Sequence, residues 1–284
     1  MTVEVRPIRF ADDVSAFDVL IGHDTDSPRP RRTLVATDGA ALVGAASATW
    51  SNRHPDLVQG FVEVLATHRR SGVGSTLAAA LRRLAGDGLA CFVDGDDPVA
   101  AGFLRSAGFA PVVDSWTVRA AVDARSTAAI PDDTAAAGIA IDATRSTDEV
   151  EAFFERIYGD RHGWAGRYVP SPAHPWIRVA GTIVTGTLFV ARREGAIVAA
   201  SCLTKGELSR GADAFLPPTG SVLDVNDPAA SAVVRAVVTA TLRAGAARGV
   251  TRVNVEFDSP YVELVTLMDS LATEPVSHRT VWKP

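Results

Sequence analysis

The chain is poor in the residues that indicate a disulfide scaffold or a metal centre. It has two cysteines in 284 residues, Cys91 and Cys202, and each lies in a short apolar run typical of a strand. Two cysteines cannot build the disulfide framework of a small secreted domain, and no Cys/His cluster with metal-ligand spacing accompanies them. We therefore expect two buried, inert thiols and no metal.

The sequence also lacks the features of a membrane protein or a nucleic-acid binder. No apolar run approaches the roughly 18 residues that span a bilayer, and residues 1–10 carry Glu4, Arg6 and Arg9 where a signal peptide needs an apolar core. The formal net charge is -5, whereas nucleic-acid binders need a basic face. We expect a cytoplasmic protein, monomeric or homodimeric, without membrane or nucleic-acid partners.

The composition of the chain predicts two globular domains. It is 47% hydrophobic and 21% charged, which is typical of folded domains, and domains usually hold about 100–150 residues. Residues 123–137 are rich in Ala, Asp, Ser, Thr and Pro without apolar periodicity. We therefore predict a first domain over 1–122, a linker over 123–137 and a second domain over 138–284.

The two halves of the chain resemble each other. Similar segments recur in the same order: Asp12–Phe17 with Asp148–Phe153, Thr33–Ala36 with Thr187–Val190, and Asp96–Val99 with Asp258–Tyr261. Their separation grows along the chain, as insertions would make it, although chance similarity in an Ala/Val-rich sequence is the alternative. Repeats of this kind decide the fold class, so we predict two copies of one fold.

The same order of elements is predicted for each half. The expected elements are a strand (Val3–Ile8; Ile139–Asp142), a helix, a hairpin turning at Asp38-Gly39 or Glu194-Gly195, a strand (Phe61–Ala66; Ser221–Val225), a long helix, a strand (Ala90–Val93; Arg252–Phe257), a helix opened by Pro98 or Pro260, and a last strand. Helical and hairpin connections together predict an α/β class, with a mixed (α+β) sheet in each domain.

The most informative segment joins the strand ending at Ala66 to a helix with Val73, Leu77, Ala80, Leu81 and Leu84 on one face. Between them stand Arg69, Arg70, Ser71, Gly72, Val73, Gly74 and Ser75. Glycines in the first turn let a ligand approach the main chain, and the first helical N–H groups are unpaired beside a positive dipole end. The segment predicts a phosphate site; a tight strand-to-helix turn is the alternative.

Arg69-Arg70-Ser71-Gly72-Val73-Gly74 resembles the Gln/Arg-x-x-Gly-x-Gly/Ala signature of the GNAT acyltransferase superfamily, and Asp97–Phe109 resembles that family's later strand–helix motif. The resemblance implies a tandem GNAT fold over nearly the whole chain. It also implies direct transfer of an acetyl group from acetyl-CoA, as co-substrate, to an amine of a small molecule or peptide. By similarity, the main chain of Val64, Leu65 and Ala66 holds the pantetheine arm, and the N–H near Val64 or Leu65 polarises the thioester. Residues from Arg69 to Ser75 hold the pyrophosphate, and Asp97 stands where the family often has Asn at the cofactor.

The sequence departs from the family pattern at one catalytic position. Leu104 stands where the family often has a tyrosine that protonates the leaving thiolate. The thiolate then leaves unaided, since a thiol has a pKa of about 8.5, or another donor serves. Glu63 is the candidate general base, its alternative being a half-exposed strand carboxylate. A non-catalytic acyl-CoA-binding or regulatory module is the competing function.

The second half is predicted to have lost the cofactor site. Residues 222–231 contain no glycine pair and no arginine, and Asp224 and Asp227 lie where phosphates would bind, so like charges would repel. This half also carries an insertion at about residues 159–184 that is rich in His, Trp, Tyr and Arg. The insertion is either a lid or acceptor wall, or a long loop held by its own aromatic residues.

Overall fold

The computed structural model describes residues 3–18, 20–26, 29–95, 97–124, 126–128, 133–209, 211–217, 219–224, 226–227 and 229–284. Its strands are β1 (Val3–Pro7), β2 (Arg31–Asp38), β3 (Ala41–Trp50), β4 (Val58–Val64), β5 (Leu89–Asp94), β6 (Ala110–Ala121), β7 (Ile139–Ala143), β8 (Thr182–Ile183), β9 (Phe189–Arg193), β10 (Ala196–Ser201), β11 (Thr204–Lys205), β12 (Ala214–Leu216), β13 (Arg252–Asp258) and β14 (Thr273–Lys283). Its helices are α1 (Val73–Ala85), α2 (Pro98–Ser106), α3 (Asp133–Ala136), α4 (Asp148–Arg161), α5 (Trp176–Val179), α6 (Ala229–Ala246) and α7 (Val262–Ser270).

The chain forms two compact units, and each takes segments from both halves of the sequence. Unit 1 comprises Met1–Val113, Gly163–Val169 and Arg279–Pro284, and unit 2 comprises Asp114–His162 and Pro170–His278. The predicted domain limits, 1–122 and 138–284, concern the halves of the repeat and stay a prediction.

Unit 1 is a mixed sheet with helices α1 and α2 on one face. The strand order is β1-β2-β3-β4-β5, followed by the end of β14, and β4 and β5 are its parallel pair. The β2–β3 hairpin turns at Asp38-Gly39 as predicted, and Gly39 supplies the positive φ of the turn. On the helical face Val73, Leu77 and Leu81 pack into one apolar cluster.

One residue predicted for the buried face of α1 lies outside it. Leu84 is 39% exposed, because the buried face follows Val73, Leu77, Ala80 and Leu81 and turns away from the last turn of the helix. The remaining members of the predicted apolar face are buried.

The prediction of a helix after β1 is wrong. The described residues between β1 and β2 form turns, which we name the amino-terminal loop (residues 8–24). Its aspartates bind nearby main-chain N–H groups instead of leaving them for a helix: Asp13 Oδ1 accepts from Ser15 at 2.9 Å, and Asp18 Oδ1 accepts from Leu20 at 2.9 Å. Such local bonds compete with helix formation.

Two segments cover the face of the unit 1 sheet that lies opposite α1. Phe17 and Ile21 of the amino-terminal loop pack on β2 and β3. Residues 163–169, which we name the crossing segment, lie over the β5 side, where Ala165 packs with Leu57 and Val281. Part of the insertion predicted from the second half of the sequence is therefore built into unit 1.

Unit 2 repeats the order of elements with changes. Its strand order is the start of β14, then β6-β13-β12-β11-β8, and a separate sheet has the order β10-β9-β7. The predicted cap of α4 is confirmed, since Thr147 accepts the N–H of Val150. The predicted turn at Glu194-Gly195 is confirmed as well, with positive φ at both residues.

The prediction of a strand at Ser221–Val225 is also wrong. Within the predicted strand Ser221–Val225, Ser221 forms only an isolated bridge to Ala199, and Val225 lies outside the described residues. The strand beside β13 is β12 instead. In unit 1 the single strand β4 pairs with β3 on one side and with β5 on the other. In unit 2 these two pairings are made by different segments, since β12 pairs with β13 and Ser221 bridges to Ala199 of β10.

Helix α6 is a core helix of unit 2. Among the described residues it alone is long and apolar enough to cross a membrane, and 72% of that window is buried inside the protein. Its apolar side chains, among them Val234, Val238 and Leu242, pack into the main apolar cluster. The apolar surface of the helix is therefore buried in the core of unit 2.

The last strand of each half of the sequence pairs in the unit of the other half. β6 pairs with β13 in unit 2, and residues 279–282 of β14 pair with β5 in unit 1. Val281 and Trp282 are buried there, and Arg105 lies over the Trp282 ring at 5.2 Å. Unit 1 therefore depends on side chains from the far end of the sequence.

This dependence predicts unequal effects along β14. Trp282→Ala removes a side chain that is 3% exposed, so we expect the free energy of unfolding to fall by about 3–5 kcal/mol. Val276→Ala on the same strand, where the side chain is 45% exposed, is the control and should change it by less than about 0.5 kcal/mol. Denaturant unfolding of both variants measures the difference; equal, small effects would contradict the assignment of residues 279–284 to unit 1.

Candidate functional site

Strands β4 and β5 separate part-way along their length and leave one edge of β4 open. They pair at Val58–Gly60 with Leu89–Cys91, and the register ends there although both strands continue. The N–H of Leu65 donates to Val43 of β3 at 3.0 Å. Because main-chain groups alternate in direction along a strand, those of Val62 and Val64 point to the other side, into the gap between β4 and β5.

The loop after β4 turns sharply to start α1. A 3₁₀ turn spans Ala66–His68, and Arg70 and Gly72 both have positive φ, 64° and 88°. The Arg69 Nε donates to the Val64 carbonyl oxygen at 3.1 Å and fixes the loop to the end of the strand. A residue with φ near 88° favours glycine, which is why Gly72 stands at the start of the helix.

The amino terminus of α1 has no side-chain cap. Gly72 is its N-cap residue, the first turn contains no acidic residue, and the first helical hydrogen bond runs from Thr76 N to the Gly72 oxygen at 3.1 Å. The N–H groups of Val73, Gly74 and Ser75 therefore have no acceptor within the helix. Three unpaired donors beside the positive end of the helix dipole form an anion site.

The neighbouring helix α2 is capped in the ordinary way. Asp97 Oδ1 accepts the N–H groups of Val99 and Ala100 at 2.9 and 3.0 Å. Of these two neighbouring helices, only α1 therefore begins without a side-chain cap. Asp97 thus serves α2 with one carboxylate oxygen, and its predicted contact with the cofactor stays a prediction.

The two glycines of the loop meet different needs. A Cβ at Gly72 would meet nothing within 4 Å, so its conformation is what matters. A Cβ at Gly74 would lie 3.2 Å from Phe103 Cε2 of α2, so the second glycine allows α1 and α2 to pack closely. The sequence analysis explains both glycines by the approach of a ligand and does not foresee the packing of Gly74 against Phe103.

The candidate catalytic residues lie on both sides of the sheet. Glu63 projects to the face opposite α1, where its Oε2 accepts the Asp18 N–H at 2.7 Å and holds the amino-terminal loop. Leu104 is buried in the core under α1, so the usual tyrosine position offers no proton donor. The His54 ring lies against Tyr168 of the crossing segment, with centroids 5.3 Å apart.

The corresponding helix start in unit 2 is occupied by a carboxylate. Asp227 Oδ1 accepts the Ala229 N–H at the start of α6 at 2.8 Å, and Oδ2 accepts from Arg193 at 3.0 Å. These bonds, the Ala229 N–H first, lower the pKa of Asp227 below its ordinary value. A bound anion would have to displace this carboxylate.

The gap of unit 1 has a filled counterpart in unit 2. The Arg161 guanidinium donates to the oxygens of Pro260, at 2.8 Å, and Ser221, at 3.1 Å, and pairs with Glu263 at 3.0 Å. Tyr261 is fully buried beside it, and burial raises the pKa of its phenol. The main-chain oxygens that border this position are thus bonded to a side chain of unit 2 itself.

The open gap and uncapped helix lie within a recognised family domain. The model of the acetyltransferase (GNAT) family matches residues 4–109, which include β4, the loop and α1. This part of the chain is thus similar to the GNAT acetyltransferases. The match supports an acyltransferase of the N-acetyltransferase type.

Known structures show the same fold. A GCN5-related N-acetyltransferase from Sphaerobacter thermophilus is 14% identical with a TM-score of 0.55, over 89% of this chain and 80% of that one. A GCN5-related glucosamine N-acetyltransferase region of a fungal multi-domain GH3 β-N-acetylglucosaminidase is 16% identical with a TM-score of 0.56, over 99% of this chain and 38% of that one. A tandem GNAT protein from the clavulanic acid biosynthesis pathway is 15% identical with a TM-score of 0.48, over 100% and 98%. The comparison with curated proteins gave no match.

The predicted fold class is confirmed: the chain is a mixed α/β protein with two GNAT-like units. The GNAT order of a hairpin, a strand, a long helix, a strand and a shorter helix appears in unit 1 from β2 to α2 and in unit 2 from β9 to α7. At the identities above, the two structures with TM-scores above 0.5 support the fold alone, while the family match over residues 4–109 supports the class of enzyme.

The filled gap of unit 2 predicts a strong dependence on Arg161. Arg161→Ala leaves Glu263, which is 3% exposed, without its ion-pair partner, so we expect a loss of about 3–5 kcal/mol in the free energy of unfolding. The double variant Arg161→Leu with Glu263→Leu removes both charges and should recover most of that loss. Chemical denaturation compares the three proteins, and a single variant as stable as the parent would show that the pair does not close the gap.

Proposed function

We propose that the chain transfers the acetyl group of acetyl-CoA to an amine of a small molecule or peptide. The observation that carries the proposal is the uncapped start of α1 beside the open edge of β4. Both lie in the GNAT domain, and unit 2 has covered the equivalent positions with its own side chains. Cofactor binding is therefore assigned to unit 1 alone.

The cofactor is held mainly by main-chain groups. The N–H groups of Val73, Gly74 and Ser75 bind the pyrophosphate, with Arg69, Arg70, Ser71 and Gly72 forming the loop around it. The main chain from Val64 to Ala66 holds the pantetheine arm in the manner of an added strand. Since the Leu65 N–H already donates to Val43, the Val64 N–H is the group assigned to the thioester oxygen.

The reaction is a direct acyl transfer. Acetyl-CoA supplies an acyl thioester at the gap between β4 and β5. The acceptor nitrogen attacks the carbonyl carbon, the carbon–sulfur bond breaks, and the products are an amide and coenzyme A. The Val64 N–H stabilises the negative charge that develops on the carbonyl oxygen.

Glu63 is proposed to accept the proton of the acceptor. An amine with a pKa of about 10.4 is neutral in only roughly one molecule in a thousand at pH 7, so a nearby carboxylate speeds the step. Glu63 lies on β4, which borders the gap, and its Oε2 accepts the Asp18 N–H. The leaving thiolate needs no acid, since a thiol of pKa about 8.5 is a fair leaving group.

A second function follows from the buried Leu104. A GNAT domain without a proton donor at this position can hold acyl-CoA without turnover, as a binding or regulatory module. Calorimetry with acetyl-CoA and a thiol-release assay with an amine panel separate the two functions. Binding with release that depends on the amine supports the enzyme, and binding without release supports the module.

We also place the protein in the cytoplasm. Both cysteines are free and buried, whereas proteins of oxidising compartments commonly pair their cysteines in disulfides.

A substitution at the third residue of α1 tests the anion site. Ser75→Glu places a carboxylate beside the three unpaired N–H groups, where it should stabilise the helix by about 0.3–1 kcal/mol. The same charge should weaken coenzyme A binding at least tenfold, or by about 1.4 kcal/mol. Thermal unfolding and calorimetry measure the two opposite effects.

The matched control is Ser231→Glu, at the third residue of α6, exposed as Ser75 is. It should leave coenzyme A affinity unchanged. If Ser75→Glu binds coenzyme A as the parent does, or if Ser231→Glu loses binding, the pyrophosphate does not lie at α1.

The role of Glu63 is tested by Glu63→Gln, because an amide oxygen can still accept the Asp18 N–H. We expect kcat/KM for the amine to fall by about 10²–10⁴ while coenzyme A affinity stays the same. The loss should shrink as the pH approaches the pKa of the amine, since neutral acceptor then no longer needs a base. A variant with the parent's rate and pH profile would leave Glu63 with only the role of holding the loop.

A further inference from the structure

The gap between β4 and β5 is bordered by aromatic side chains on the face opposite α1. Gly60 and Cys91 form the last pair of the two strands. The next residue on each strand is a phenylalanine, Phe61 on β4 and Phe92 on β5. Side chains alternate along a strand, and both rings point away from α1, towards the amino-terminal loop and the crossing segment respectively. Each ring is partly exposed.

The crossing segment adds a third aromatic ring. Trp164 meets Phe92 edge to face, with ring centroids 6.3 Å apart, and it is also partly exposed. Its main chain is anchored by Lys283, whose Nζ donates to the Trp164 oxygen at 3.0 Å, and by buried Ala165 next to it. The ring is thus held at the closed end of the gap.

The crossing segment continues along the sheet on a path that is fixed by hydrogen bonds and close packing. The Val169 N–H donates to the Arg53 oxygen at 2.7 Å, and the Arg53 Nη1 donates to the Tyr168 hydroxyl at 2.8 Å. Gly166 has a φ of 85°, and a Cβ there would lie 3.0 Å from that of Asp56. This fixed path gives Trp164 a defined position, as a substrate wall requires.

Two carboxylates stand further along the same face. Glu63 follows Phe61 by two residues, and Asp94 follows Phe92 by two residues, so each lies on the same side as its phenylalanine. The Asp94 side chain is 82% exposed, with Arg279 at 3.8 Å. The face therefore presents apolar rings at the closed end of the gap and negative charge on both sides of its open end.

We infer that the acceptor is a primary amine that carries an apolar or aromatic group, and that Trp164 sets this specificity. The inference rests on the proposed function and names its substrate class. The ammonium group fits between Glu63 and Asp94, while the apolar group packs on Phe61, Phe92 and Trp164. Amino sugars and polyamines fit less well, because burying their polar groups against these rings leaves hydrogen bonds unmade.

The test measures acetyl transfer to 2-phenylethylamine, putrescine and glucosamine with the full chain. We expect kcat/KM to be at least tenfold higher for 2-phenylethylamine than for either polar amine, as a hydrophobic contact of this size supplies. Trp164→Ala should raise the KM for 2-phenylethylamine at least tenfold and change the KM for putrescine less than threefold. Trp164→Phe, which keeps an aromatic ring, should recover most of the loss.

Trp116→Ala provides the control, because Trp116 is a partly buried tryptophan of unit 2 that stacks on Phe257. Trp116→Ala should leave the ratio of the kcat/KM values for 2-phenylethylamine and putrescine unchanged. Calorimetry with coenzyme A and a thermal unfolding curve accompany each variant. If Trp164→Ala unfolds, the comparison of Trp164→Phe with Trp164→Leu supplies the same information, since only the ring is changed.

The outcomes separate the two proposals. Transfer to amines without a preference for the apolar acceptor, or an equal effect of Trp164→Ala on every amine, overturns the specificity inference and leaves acetyl transfer standing. Coenzyme A binding without transfer to any amine overturns both and favours the binding module. A preference for 2-phenylethylamine that Trp164→Ala abolishes supports both.

Discussion

The structure of unit 1 depends on a strand ladder that stops early. Two parallel strands inside a sheet normally satisfy each other's main-chain groups along their whole length, but β4 and β5 pair over three residues each and then diverge. The Val64 oxygen accepts from Arg69 Nε, and the Val64 N–H and the main-chain groups of Val62 point into the gap. A few residues later α1 starts without a cap. Both features are in the main chain, so the proposed cofactor site is created by the path of the backbone more than by particular side chains.

In unit 2, side chains of the protein bond the main-chain groups at the corresponding helix start and gap. At its helix start Asp227 binds the first N–H group, and in its gap Arg161 binds main-chain oxygens and Glu263. Side chains of the protein perform there the roles assigned to a ligand in unit 1. Of the two GNAT-like units, unit 2 therefore has these main-chain groups bonded by its own side chains, and unit 1 is the one proposed to bind the cofactor.

The sequence was informative wherever the structure is decided locally. The strand, glycine loop and α1 follow one another directly between Val58 and Ala85, and the Thr147 cap of α4 was evident from its neighbours. The helix predicted after β1 failed because Asp13 and Asp18 accept hydrogen bonds from nearby main-chain N–H groups, which apolar spacing does not reveal. The crossing segment and the exchanged strands could not be predicted, since their partners lie far away in the sequence: Phe92 meets Trp164 and pairs with Val281 of β14. The aromatic border of the gap was missed for the same reason, although Phe61 and Phe92 stand at matching places on two predicted strands.

The pairing of β14 with β5 has a consequence for biosynthesis. Domains generally begin to fold from the amino terminus during translation, yet the outer edge of β5 has no strand beside it until residues 279–282 have been made. An exposed strand edge favours association with other chains. Unit 1 is therefore completed only after residues 279–282 have been made, although most of its sequence is translated first. A chain terminated before these residues would expose the edge of β5, which favours association with other chains.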